Sequence, residues 1–188
     1  RLQELFRELS SYWVIDSSIY FTKSEEEMSA FYDQVYSGKY NSYIMGGPTG
    51  HSVYAATNPG MYEYFPVEVN TLQKTEMREA TRFIARSNFA RDALRWTVLC
   101  ALTKSCMDPR GSTKYCRFGT EWFTEYARCH RYDQSAMNLV VNGLDYGIES
   151  RKRFHTMTET RREETMKEEI NIPCLEDGKE HYLPILTQ

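Results

Sequence analysis

The chain has 188 residues, 41% apolar and 14% aromatic, enough to bury one core and too apolar for an intrinsically disordered chain. Its net charge of −3 gives no electrostatic footprint for nucleic acid, and no run approaches the roughly 20 apolar residues of a membrane span.

The first residues, RLQELFRELS, lack an initiating Met and place Leu2, Leu5, Phe6 and Leu9 on one stripe, which predicts an amphipathic helix. The chain therefore reads as a fragment or trimmed domain, with any leader or anchor upstream. Tyr12 to Ile15 is aromatic and β-branched, a short strand cut by Asp16-Ser17-Ser18 and resumed at Ile19. Ser24 and Glu27 form a capping box that opens a helix toward Tyr36. SYIMGG predicts a strand, GGPTGHS a Gly/Pro loop, and EVNTLQKTEMREA a polar loop or short helix. TRFIARS suits a strand, NFARDALRWTVLCALTKSC a helix, and MDPRGSTKYCRFG a loop. The segment from Ser135 to Val141 is apolar on one face, a helix ending near Asn142-Gly143. In the charged stretch beyond residue 150, Thr156 and Glu159 suggest another capping box, and Glu163 and Lys167 a helical ion pair. The triplet Arg151-Lys152-Arg153 is too short to argue for nucleic acid. Alternating strands and helices predict an α/β domain over 1–149, with 150–188 a charged helix and tail packed on it.

Five cysteines occur, at 100, 106, 116, 129 and 174, none with the CxxC spacing of a zinc or redox pair. Loop-stapling disulfides imply a secretory compartment, and buried free thiols are the other reading. Spacing leaves the pairing open, and the odd count leaves one cysteine over. There is no N-x-S/T glycosylation site.

Several chemistries are excluded. No G-x-S-x-G elbow is present for a hydrolase, and the four histidines are too scattered for an H-E-x-x-H zinc site. GGPTGHS lacks the Lys of a P-loop, and its His51 is either a donor to a ligand or, as a lone His more often is, structural. Asp16 at a strand's C-terminal end can hold a metal or a sugar hydroxyl, or cap a turn. Asp133, just before an apolar helix, is either a helix cap or a site acid. Gln134 and Asn138 fall four residues apart on one helical face. Each amide both donates and accepts, which suits a hydroxyl-rich ligand.

The order of VIDSS, EATRFIARSNFARDALRW and HRYDQSAMN resembles the middle and end of a GT-A nucleotide-sugar glycosyltransferase. The blocks DSSIYF, HSVYAATNPGMY, the Cys-rich segment and CHRYDQSAMN are most similar to an uncharacterised animal family of glycosyltransferase-like proteins, over roughly residues 12–145. The resemblance implies a GT-A-like, Rossmann-like fold, truncated at its N-terminus. It implies transfer of a sugar from a nucleotide-sugar donor to a glycan or protein acceptor, in the Golgi lumen or secretory pathway. Asp133 and Gln134 would match the catalytic Asp-Gln pair of retaining enzymes similar to glycosyltransferase family eight. Asn138 would match the following Asn, and Asp16 the first acid of D-x-D. Ser18 stands where the second acid belongs, so Mn²⁺ or Mg²⁺ binding at Asp16 would be weakened. His51, Arg131, Asn138, Asp16 and Ser18 complete the expected substrate-binding set. The alternative is a catalytically inactive carbohydrate-binding module of the same fold.

Overall fold

A computed structural model describes residues 10–16 and 19–144, and the backbone alone of 158–160, 172–176 and 179–183. The expected N-terminal helix, Ser17, Ser18 and the Glu163–Lys167 pair lie outside these residues.

The centre is a three-stranded sheet made of β1 (Ser11–Val14), β3 (Tyr43–Met45) and β6 (Arg82–Ala85). The order is β1-β6-β3, and β6 pairs antiparallel with both neighbours. Val14 and Met45 both face Arg82 in register, so β1 and β3 run parallel to each other and end at the same edge. Side chains alternate by the strand period of two. Phe83, Ala85 and Ile44 turn to one face, where α1 (Glu25–Tyr36) covers them with Phe31 and Val35. Ile84, Tyr43 and Met45 turn to the other face and join the larger core. Both β1 and β6 contain a β-branched residue and an aromatic or long apolar one, which fits a sheet buried on two sides.

The Ser24 capping box opens α1 as its spacing predicted. Glu27 N–H donates to Ser24 Oγ at 3.3 Å, and Ser24 N–H donates to Glu27 Oε2 at 3.1 Å. The next long helix, α3 (Asn88–Leu102), starts at Ser87, whose Oγ accepts from Ala90 N–H. Helix α5 (Tyr132–Leu144) packs across α3 and buries Ala136, Met137, Leu139 and Val140. A 3₁₀ helix (Pro59–Tyr64), α2 (Val69–Lys74) and α4 (Lys104–Met107) fill the remaining sides.

Two segments differ from expectation. GGPTGHS contains a strand, β4 (Pro48–Ser52), and the polar stretch before Thr81 contains β5 (Glu76–Arg78). They pair antiparallel with a register break between Pro48 and Ser52. Gly50, at φ 81°, supplies the conformation that break needs, and Pro48 occupies the first strand position, where no ladder N–H is lost. Met77 is the one buried residue of β5, so its pattern is a single alternation, too short to read.

Strand β2 (Ile19–Phe21) pairs with β7 (Thr158–Thr160). Glu159 is therefore in a strand, not at the third position of a helix opened by Thr156; β-branched Thr158 and Thr160 flank it. Strands β8 (Ile172–Glu176) and β9 (Lys179–Leu183) form an antiparallel pair. Among the described residues all strand pairing is antiparallel, within an α/β mixture of helices and small sheets.

Two disulfides form, Cys100–Cys106 and Cys116–Cys129. They belong to an oxidising environment rather than a reducing one. The fifth cysteine, Cys174, lies in β8. No helix among the described residues is long and apolar enough to cross a membrane.

Candidate functional site

The C-terminal ends of β1 and β3 open the first part of the site. Asp16 follows β1 by two residues and is exposed. Gly46 and Gly47 follow β3. Gly46 N–H donates to Thr81 O at 2.6 Å, and Glu79 N–H donates to Gly47 O at 3.0 Å. A Cβ on Gly46 would meet Glu79 Cβ at 3.0 Å and Thr81 Cβ at 3.1 Å, so the turn needs glycine for close approach. The Glu79 carboxylate thus stands at the end of β3. Sequence reasoning missed this acid, because nothing local separates it from the other charges of its polar segment.

The second part is the segment from Cys129 into α5. Its shape comes from buried hydrogen bonds. His130 is fully buried. Its Nδ1 accepts from Asn58 N–H at 3.2 Å, which leaves Nε2 to donate to Met107 O at 3.1 Å. The imidazole is thereby held neutral in one tautomer. Ser135 is the second anchor: its Oγ donates to Ala56 O at 3.2 Å and accepts from Thr57 Oγ1 at 3.0 Å and Arg131 N–H at 3.2 Å. Tyr132, at φ 42°, lets the chain turn sharply from this anchor into the helix.

Asp133 lies within the first turn of α5, not ahead of it, and is exposed. The positive end of the helix favours its carboxylate there. Burial pushes the Tyr43 hydroxyl on β3 up to about 12; Arg82 and the Thr97 hydroxyl oppose the rise, and Tyr12 and, least of all, Asp133 add to it. Gln134 and Asn138 do share one face, and that face meets β5. Gln134 Nε2 donates to Arg78 O at 2.9 Å. Asn138 Oδ1 accepts from Arg78 N–H at 2.9 Å, and its Nδ2 donates to Arg78 O at 3.0 Å and to Gln134 O at 2.8 Å. These amides hold α5 against a strand that has no other neighbour on that side among the described residues. A buried Asn138, 2% exposed, is placed to position the helix rather than to meet a ligand.

His51 is 6% exposed and packs on Phe118 with ring centroids 4.9 Å apart. Its Nδ1 lies 3.1 Å from Ser52 O. Arg131 is exposed at the start of α5, and its charge reaches His51. Ser18 is outside the described residues. Among those residues no three His, Cys, Asp or Glu side chains gather as a metal site.

Burial lowers the pKa of both His51 and His130. For His51 the Ser52 carbonyl and Glu76 oppose this and Arg131 adds to it; for His130 the Met107 carbonyl and Asp108 oppose it. A depressed folded-state value means the unfolded chain takes up protons first. Stability is therefore full above the unfolded value of about 6.5 and is lost as pH falls toward the folded values. Thermal unfolding followed from pH 8 to 5 should show Tm falling below about pH 6.5, and His130→Gln should flatten that fall.

No family model matches the chain, and neither a curated protein nor a solved structure does.

Proposed function

We propose that this chain is a glycosyltransferase-like protein that moves a sugar from a nucleotide-sugar donor to a glycan or protein acceptor in the secretory pathway, with the Golgi lumen as its compartment. In this reading the chain is the C-terminal part of a GT-A-like domain. One observation carries it most: β1 and β3 run parallel and end together at Arg82, with Asp16 beyond one, Gly46-Gly47 and Glu79 beyond the other, and the Asp133 charge within reach of β3. Ligands of open α/β sheets bind outside the carboxyl ends of strands.

The chemistry is then mostly positioning and electrostatics. Asp133, at the helix start, stabilises positive charge that develops on the sugar as the bond to the diphosphate breaks. Asp16 accepts hydrogen bonds from donor hydroxyls. Gln134 and Asn138 set the angle at which α5 presents Asp133. Asp16 would supply one carboxylate to a divalent cation, Mn²⁺ or Mg²⁺, whose other ligand oxygens would come from the donor phosphates. Bound there, the cation would neutralise charge on the leaving diphosphate.

A second reading, an inactive carbohydrate-binding module, draws on the Gln134 and Asn138 amides being spent on Arg78. Incubating the full-length protein with nucleotide-sugars, with and without Mn²⁺, separates the two. Release of nucleoside diphosphate is expected, greater with Mn²⁺. No release in either condition, with glycan binding retained, selects the inactive module.

A further inference from the structure

The loop from Lys114 to Arg128 carries three features that a mere connection does not need. It is closed by the Cys116–Cys129 disulfide. It contributes two rings to a row of three: His51 against Phe118 at 4.9 Å, and Phe118 stacked on Trp122 at 5.0 Å with planes 29° apart. And the row runs from the interior outward, from His51 at 6% exposure to Trp122 at 48%.

Trp122 is exposed and yet fixed. Its indole N–H donates to Gly119 O at 3.0 Å, so the ring's one polar atom is satisfied within the loop. The backbone at Trp122 and just after it is pinned to β4: Ser52 N–H donates to Trp122 O at 3.1 Å, and Ser52 Oγ donates to Phe123 O at 2.7 Å. Ser52 itself is fully buried. With one side lying against Phe118, the indole offers solvent an apolar surface that makes no polar demand. A large ring already held still loses little conformational freedom when something stacks on it.

We propose that Trp122 is the stacking platform of a glycan-binding subsite, the seat of the acceptor sugar. The negative π-face of an indole attracts the slightly positive C–H groups on the flat face of a pyranose ring. The surroundings suit the hydroxyl rim of such a ring. Glu121 beside Trp122 is exposed, and so is Glu125, whose backbone N–H donates to Glu121 O at 3.0 Å. Phe123, next to Trp122, is exposed as well; two rings fall short of the broad apolar patch that a protein partner would favour, and with a carboxylate at their rim they favour a sugar. The Cys116–Cys129 disulfide ties the loop to the segment that presents Asp133. The subsite deepens the reading given above and rests on it for the word acceptor, while binding at Trp122 is measurable without turnover.

The test uses the full-length protein and a panel of neutral hexose- and N-acetylhexosamine-terminated oligosaccharides, with binding read by saturation-transfer NMR and a glycan array. Trp122→Ala should weaken the best-bound oligosaccharide on the order of tenfold while still unfolding cooperatively, its Tm lowered by the lost stacking on Phe118, and Trp122→Tyr should keep most of the affinity. Three results overturn the subsite: no oligosaccharide bound by the wild type, Trp122→Ala binding as the wild type does, or Trp122→Tyr losing binding as fully as Ala. The outcome for the transferase is read separately. Turnover with an acceptor KM unmoved by Trp122→Ala sinks the subsite and keeps the enzyme. Glycan binding lost at Trp122→Ala, with no turnover in any variant, keeps the subsite and sinks the enzyme.

Discussion

An Asp133→Ala variant is expected to lose sugar transfer by about 10²–10³-fold, the usual cost of removing a group aimed at transition-state charge. Its melting temperature should hardly move. The side chain is exposed, and among the described residues no hydrogen bond or ion pair reaches its carboxylate. What the fold loses is the interaction with the helix's positive end, about 0.3–1 kcal/mol. Asp133→Asn keeps the shape and removes the charge, so it should be as inactive as Ala. Donor turnover and thermal unfolding measured on the same preparations decide the matter. Activity retained with a large fall in Tm would mean that Asp133 serves only to start α5.

Asn138→Ala should do the reverse and cost about 2–4 kcal/mol of stability. Asn138 receives the Arg78 N–H and returns two donors, to Arg78 O and Gln134 O. Alanine removes the side-chain acceptor of the Arg78 N–H at a part-buried contact, worth about 1–3 kcal/mol, and opens a small void besides. Gln134 still donates to Arg78 O, so one strand carbonyl stays satisfied. Denaturant unfolding of the wild type and the variant measures the loss. Were Asn138 a sugar ligand instead, the acceptor or donor KM would rise while the unfolding midpoint stayed in place.

These two residues show where sequence reading stops. The spacing of Gln134 and Asn138 correctly places them on one face of a helix. An amide pair on such a face looks the same in sequence whether it meets a sugar or a strand's backbone. Only the arrival of β5, some 60 residues earlier in the chain, decides between them. The same holds for β4 and β5, whose glycine, proline and charges read as loop while their pairing partners are far away. Local signals fared better: the Ser24–Glu27 box, the aromatic run of β1 and the long apolar face of α3 all needed only their own neighbours. Cysteine spacing left the pairing open, since nothing in it distinguishes Cys100–Cys106 from the other combinations.

The placing of β6 between β1 and β3 has a consequence for how the chain reaches its structure. The middle strand is the last of the three to be synthesised, since Ser11 waits for Ala85 and Tyr43 for Ile84. Until residue 85 has left the ribosome, Tyr12, Trp13 and Val14 have no ladder to join, and neither do Tyr43, Ile44 and Met45. Closing pairs so distant in sequence is slow, and unpaired apolar strands are the segments through which nascent chains aggregate. During that interval α1, with its own capping box, is the element able to form early and shield the face that Phe83 will later fill.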